Sequence, residues 1–420
     1  MKKSEKTVKY GEKWIIKSLC DVDMYKLTML QFIFVYFRFI QVVFGFKNRT
    51  KTVKIANIVK LKEVRKQFDY VMTLKVKKCE IEYMGTMGFF LQPFLDFFRT
   101  LRLSGYTIRK EDGQFVMEFS GNWVEVSLWE TISLSIMNEL YYRALLSKMS
   151  LAQRREVYKE GRRRLVEKIR ILKENSWVRF LEFGTRRRFS AAWQYYVVSK
   201  LKQEVPEQMI GTSNVYLAMK LGIKPVGTFA HELYMVMSGI FRSYAGDMKD
   251  NIRASHNFVL QKWWEMYGEA LSIALTDTYG SPFFFRDMCK KMAELWRGLR
   301  QDSGDPIEFG EETIKFYEGH EIDPKSKVIV FSDGLNIDKI LKIGKHFMGR
   351  IQVVFGWGTD LTNDLGLKAL SMVVKVITAN GWGTVKLSDN LAKAMGSLED
   401  IELFKCIFGH TSTLYEECVY

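Results

Sequence analysis

With 420 residues, 47% of them hydrophobic and 26% charged, the chain can form about two domains, or a barrel with an appendage, around a sizeable core. Only 6 prolines and no Ser/Gly or Gln/Asn tract argue against long disordered linkers. A net charge of +15 and a pI near 9.3 favour anionic partners, without choosing between nucleic acid, phosphorylated metabolites and a membrane surface.

The chain opens on Met1-Lys-Lys-Ser-Glu-Lys, polar and without a signal-peptide core. Cysteines at 20, 79, 289, 406 and 418 form neither a disulfide framework nor a CxxC spacing, so a reducing, cytoplasmic location is expected. Asp21 or Asp23 can cap the helix that follows, which carries Tyr25 in its first turn. The apolar run Tyr25–Phe46 is broken by Lys26, Gln31, Arg38 and Gln41, short of the roughly 20 uninterrupted residues a bilayer requires. It reads as a buried helix running into a strand, with no membrane partner.

Gln41–Arg49 alternates like a strand, and a helical stretch follows to about Val71. Phe115–Val126 reads as strand–turn–strand, and Trp129-Glu130 opens a helix to about Tyr142. Residues 1–145 are therefore expected to form an N-terminal α+β domain. The basic helix 150–174 reads as mostly solvated, with nucleic acid or a subunit contact as its other uses.

From Trp177 short apolar runs each precede a polar loop. They are Trp177–Phe183, Lys224–Ala230, Leu271–Thr276, Lys327–Phe331, Arg350–Phe355 and Met372–Ile377. Strands alternating with helices imply parallel pairing and βαβ crossovers, here in an α/β barrel, closed or irregular, over 146–390. Residues 391–420 are expected to pack back on the body. Ligand groups should gather at the carboxyl ends of the strands.

The loops carry the chemistry. Val226-Gly-Thr-Phe-Ala-His231-Glu ends a short apolar approach in an imidazole; Met at 235 denies it the second histidine of a zinc-protease helix. A lone histidine of this kind is either catalytic or a structural hydrogen-bonding residue. Phe183-Gly-Thr-Arg186-Arg187-Arg188 joins a ring to cations that match phosphate or carboxylate. Gly211-Thr-Ser-Asn214 can wrap an oxyanion or form an ordinary turn. Arg300-Gln-Asp302-Ser-Gly-Asp305 could bind Mg²⁺ or a ribose. Phe331-Ser-Asp333-Gly334 and Gly356-Trp-Gly358-Thr359-Asp360 offer backbone nests for phosphate. No P-loop and no strand–GxGxxG unit is present, so the residues alone lead to a phosphate-handling α/β enzyme.

In this order the segments resemble the bacterial-type nicotinate phosphoribosyltransferases. The matching runs are Asp21–Met29, Leu181–Ser190, Gly211–Val215, Gly227–Glu232, Leu275–Tyr279, Arg300–Pro306, Ile322–Lys327, Phe331–Asp333, Gly358–Asp364 and Lys386–Asp389. The resemblance implies the irregular α/β barrel of type II phosphoribosyltransferases and a homodimer with sites near the interface. It implies transfer of phosphoribosyl from 5-phosphoribosyl 1-pyrophosphate to nicotinate, giving nicotinate mononucleotide and pyrophosphate in NAD salvage. It implies ATP as a co-substrate, coupled through a phosphohistidine that His231 matches.

By the same resemblance His231, Asp302 and Arg300 are catalytic, and Tyr25, Phe183, Thr228 and Arg300 bind nicotinate, Tyr25 from this chain or a partner. Arg186, Ser213, Asn214, Ser332, Asp333, Gly334, Gly358 and Thr359 meet phosphoribosyl pyrophosphate. Asp302 or Asp305 would hold Mg²⁺. Gln301 replaces an expected histidine, and Asp360 puts an acid in the phosphate loop. Rivals are a nicotinamide-using relative, which would favour an acid where neutral Ser213 stands, a quinolinate-using relative, which would demand additional cations around the ring, and a non-catalytic basic RNA-binding relative. No nucleic acid is expected as a partner.

Overall fold

A computed structural model describes residues 13–416, so the polar leader 1–12 and Cys418 lie outside the described residues. The strands are β1 (Gln41–Asn48), β2 (Tyr106–Glu111), β3 (Gln114–Asn122), β4 (Phe180–Glu182), β5 (Met209–Thr212), β6 (Ile273–Leu275), β7 (Gly298–Gln301), β8 (Val328–Phe331), β9 (Gln352–Trp357), β10 (Met372–Ala379) and β11 (Trp382–Gly383). They form two sheets, one five-stranded in the order β11-β10-β1-β3-β2 and one six-stranded in the order β5-β4-β9-β8-β7-β6.

The six-stranded sheet is parallel throughout. Of its two central strands, β8 is an unbroken apolar run and β9 becomes buried from Phe355 onward. All four residues of Val328-Ile-Val-Phe331 are buried. The sheet curls until its edges β5 and β6 are spanned by an irregular segment. Thr212 N donates to Lys224 O (3.1 Å), Val226 N donates to Thr212 O (2.9 Å), and Thr228 Oγ1 donates to Ile273 O (3.0 Å). Lys224–Ala230, expected as a strand, therefore closes the barrel with a single bridge, Thr212 to Pro225. Pro225 has no N–H for a ladder, and Gly227 turns the chain at φ 150°. A side chain at 227 would sit 2.9 Å from the backbone nitrogen of Tyr25, so glycine is required there.

The five-stranded sheet is antiparallel where it is paired. Asp112-Gly113 joins β2 to β3 with both residues at positive φ, the two-residue hairpin that follows the twist of its strands. The turn expected inside Phe115–Val126 is absent. Gly121 stays paired with Val42, and Trp123–Val126 is helical. Met372–Ile377, read as a barrel strand, is instead part of β10 and runs antiparallel to β1. The chain thus leaves the barrel after β9 and completes the N-terminal sheet.

Two contacts lock the amino-terminal lead onto the barrel mouth. Met24 N donates to Ser213 O (2.6 Å) and Val215 N to Val22 O (3.1 Å). The capping role expected for the acids is not what they do. Asp21 forms a buried bidentate pair with Arg188 (2.7 and 2.8 Å), and Asp23 accepts from Ser213 Oγ (2.6 Å) and Thr131 Oγ1 (3.3 Å) without capping the helix Met24–Tyr36. That helix is buried over its first ten residues and leads into β1, and no described helix is long and apolar enough to cross a membrane. In the basic helix Leu151–Glu174, Arg163 and Arg170 pair with glutamates of their own helix, and buried Lys168 reaches Asp360 and Asp364. At the other end of the chain, Phe408 stacks on Tyr279 at 4.0 Å and Asn390 holds the Glu416 backbone.

Candidate active site

The carboxyl ends of the barrel strands and one face of the N-terminal sheet enclose a cavity of about 320 Å³, a volume typical of small-molecule sites (about 300–1,000 Å³). His231 enters it as the first residue of the helix His231–Phe241. Its Nδ1 lies 2.9 Å from Thr278 Oγ1, and its Nε2 lies 3.0 Å from Asp302 Oδ2 and 2.9 Å from Lys386 Nζ. Burial, then the Lys386 cation, pull the imidazole pKa down to about 4 against the pull of Asp277 and Asp302. The ring is therefore neutral near pH 7. With Nδ1–H donating to Thr278, Nε2 carries the lone pair and accepts from Lys386; in the other tautomer Nε2–H donates to Asp302.

Burial resists ionisation of Asp302, but the His231 contact and the Arg300 and Lys386 charges outweigh it and hold the carboxyl well below the usual range. Asp277 Oδ1 is 3.8 Å from His231 Nε2 and has no hydrogen-bond partner among the described residues. An orphaned carboxylate oxygen beside Asp302 fits a hard divalent cation, and His231, Asp277 and Asp302 offer ligand atoms within 4.8 Å of one another. Asp305 is not part of this group. It caps the helix Pro306–Gly319 by accepting from Ile307 N and Glu308 N.

Two rings of this same chain, Phe183 and Tyr25, line the cavity with Arg186, Ser213 and Arg300. Phe183 lies across Gly356, where a Cβ would come within 2.6 Å of the ring, so the glycine sets the plane of the aromatic wall. Arg186 lies over the Tyr25 ring at 5.6 Å. Ser332, Asp333, Gly334, Gly358 and Thr359 line the same cavity, with Ser332 Cβ and the Phe183 ring both beside Gly356. Gly334 sits at φ 53°, a turn that glycine permits. Lys393 pairs with Asp333 and donates to Asp302 O (2.7 Å).

Two predicted ligand residues are turned to other work. Thr228 does not line the cavity, since its hydroxyl is committed to the Ile273 carbonyl. Asn214 caps the helix Val215–Leu221 and donates to Asp21. Gln301 also points away and donates to the carbonyls of Ser303 and Gly304, shaping the loop. Asp360 lines the cavity as well, with its carboxylate held by Lys168 (3.1 Å) and Trp357 Nε1 (3.0 Å).

Sequence reasoning missed Asp277, Lys375, Lys386 and Glu130. Thr276-Asp-Thr-Tyr279 had the polar loop signature without singling out the acid, and Lys386 sits in a run noted only for its order. Lys375 lies in a strand of valines, where a lysine ordinarily marks the solvent face; here that face is the cavity.

A sequence model described as the nicotinate phosphoribosyltransferase (NAPRTase) family matches residues 178–412, and one described as the N-terminal domain of that family matches 20–138. The chain belongs to the nicotinate phosphoribosyltransferase family. Among solved structures it is similar to nicotinate phosphoribosyltransferase from Porphyromonas gingivalis, at 31% identity and TM-score 0.82 over 94% of this chain and 100% of that one. It is similar to the nicotinate phosphoribosyltransferase of Vibrio cholerae, at 29% identity and TM-score 0.85 over 94% and 95%. A putative nicotinate phosphoribosyltransferase from Saccharomyces cerevisiae matches at 27% identity and TM-score 0.83 over 96% and 100%. The family fixes the chain as a phosphoribosyltransferase enzyme with the type II barrel, and its activity belongs to NAD salvage.

Proposed function

We propose that this enzyme transfers phosphoribosyl from 5-phosphoribosyl 1-pyrophosphate to nicotinate and couples the transfer to ATP through phosphorylation of His231. The observation that carries the coupling is the neutral imidazole of His231, held by Thr278, Asp302 and Lys386, in the same cavity as the two rings and the loops of Ser332–Gly334 and Gly358–Thr359. A neutral ring offers a lone pair to a phosphorus centre, whereas an imidazolium does not.

The pyridine nitrogen is itself the nucleophile. It attacks the anomeric carbon as the bond to pyrophosphate breaks, and the electron pair leaves with pyrophosphate, so no general base is needed. Phe183 and Tyr25 orient the ring, Arg300 and Arg186 face its charge, and Ser332, Gly334, Gly358 and Thr359 hold the 5-phosphate. Asp302 and Asp277 would hold Mg²⁺, which supplies charge neutralisation on the departing pyrophosphate. In the coupled step His231 takes the γ-phosphoryl group of ATP and ADP leaves. Lys386 then faces the new phosphate, and the added dianion resets affinity for the anionic substrates. On the same reading the enzyme works as a cytoplasmic homodimer, a state that sedimentation of the purified protein tests.

The test of coupling is acid-labile phosphate on the protein after incubation with γ-labelled ATP. Label mapping to the His231 peptide, and its loss in His231→Asn, supports the proposal; equal label in that variant refutes it.

A further inference from the structure

Thr228, expected with Arg300 at the nicotinate ring, does not line the cavity, whereas Arg300 does, and a further cation stands near the Tyr25 ring. β10 returns beside β1 and delivers Lys375 to the cavity wall, with its side chain 11% exposed. Its ammonium lies 2.7 Å from Glu130 Oε1, an oxygen that also faces Arg186 NH1 at 3.3 Å. The other oxygen, Glu130 Oε2, lies 2.7 Å from Lys26 Nζ and 3.5 Å from the Tyr25 hydroxyl. Lys26 in turn pairs with Glu232, which Trp123 and Ser127 anchor.

Glu130, Lys26 and Glu232 sit behind the wall, while Lys375 and Arg186 reach the cavity. Asp23 is the acid facing them, and its oxygens already accept from Ser213 and Thr131. Glu130 thus presents two cations side by side, Lys375 largely buried and Arg186 partly exposed and also 3.5 Å from Asp23, next to the ring that Tyr25 would stack. We propose that Lys375, with Arg186, reads the carboxylate of the pyridine substrate and so sets the preference for the acid over its amide. The inference rests on nicotinate being the substrate. A carboxylate adds a charge-assisted contact to a group that Glu130 has already positioned, whereas an amide offers only a carbonyl oxygen. Beside the expected phosphate loops, Lys393 pairs with Asp333 and Lys339 donates to Gly334 O (3.0 Å).

The groups facing Lys375 are Glu130 from the helix Trp129–Ser147, Arg186 from the loop after β4, and Lys26 from the helix Met24–Tyr36. Burial, with the two cations, lowers the ammonium pKa to about 8 against the pull of Glu130. Lys375 is charged below that value, so nicotinate binding weakens as pH rises through about 8.

The experiment measures pyrophosphate release by the full-length enzyme, varying nicotinate and phosphoribosyl pyrophosphate separately, for wild type, Lys375→Met and Lys375→Arg. Loss of a charge-assisted contact predicts a nicotinate KM raised at least about tenfold in Lys375→Met, with a smaller change in kcat. The KM for phosphoribosyl pyrophosphate stays within about twofold, Lys375→Arg recovers most of the loss, and nicotinate gains less over nicotinamide in the Met variant. Wild-type nicotinate KM climbs above pH 8, and the climb moves to higher pH in Lys375→Arg; this comparison decides the matter if the Met variant does not fold. A shift confined to the phosphoribosyl pyrophosphate KM overturns the proposal, as does a uniform loss that arginine fails to restore. A wild-type enzyme that does not turn over nicotinate refutes the substrate assignment instead, and this inference with it.

Discussion

Replacing Gly356 by alanine tests whether Phe183 forms a wall of the pyridine site. A methyl group there would lie 2.6 Å from Phe183 Cδ2, 2.7 Å from Cε2 and 3.1 Å from Ser332 Cβ. The position is in β9 and has no positive φ, so the backbone tolerates the change and the ring must move. Overpacking of this kind costs about 1–3 kcal/mol. If the displaced ring tilts into the cavity, the same energy appears as a roughly 5- to 150-fold rise in nicotinate KM. Steady-state pyrophosphate release, with nicotinate varied at saturating phosphoribosyl pyrophosphate, measures it. Adding Phe183→Leu to Gly356→Ala should relieve the clash and recover stability without recovering the KM. An unchanged nicotinate KM in a folded Gly356→Ala protein would refute the placement of Phe183 against the substrate.

Thr228→Val should leave nicotinate KM within about twofold and lower stability by about 1 kcal/mol through loss of the bond to Ile273; a large KM effect would return Thr228 to the ring pocket. Arg188→Met should lower the urea midpoint by the equivalent of about 3–5 kcal/mol, because Asp21 is left as a buried charge; an unchanged midpoint would show that the pair contributes nothing. Because burial lowers the His231 pKa to about 4, the neutral acceptor persists down to that pH and is lost below it. Single-turnover phosphohistidine formation should then show an acid limb below about pH 5, and a limb at the ordinary histidine value near 6.5 would contradict the environment described.

The barrel was legible where local pattern and final environment agree. Val328–Phe331 is apolar because it lies buried throughout in a parallel sheet, and Val353–Phe355 beside it is buried or partly so. β5 (Met-Ile-Gly-Thr) and β7 (Gly-Leu-Arg-Gln) were not recognised as strands, being four residues each with a glycine and a polar side chain. Their identity comes from neighbours in the sheet rather than from their own pattern. β10 was visible as a strand but assigned to the wrong sheet, since a valine run does not specify its partner.

The site divides in the same way. His231, Asp302, Arg300, Phe183 and Arg186 were readable because small-residue loops flag strand ends, and all five line one cavity. Thr228, Asn214 and Asp305 share that loop signature yet cap helices or close the barrel, a difference that only three-dimensional partners reveal. Glu130 was hidden for the opposite reason. An acid in the first turn of a helix ordinarily complements the helix dipole, whereas this one gathers three cations from distant segments.

Pyrophosphate release with nicotinate, nicotinamide and quinolinate, each with and without ATP, is the most direct measurement of the central claim. The account predicts turnover with nicotinate, stimulated by ATP, and little with the other two. Preference for either of those pyridines, or binding of RNA with no pyrophosphate released from any of the three, would contradict it.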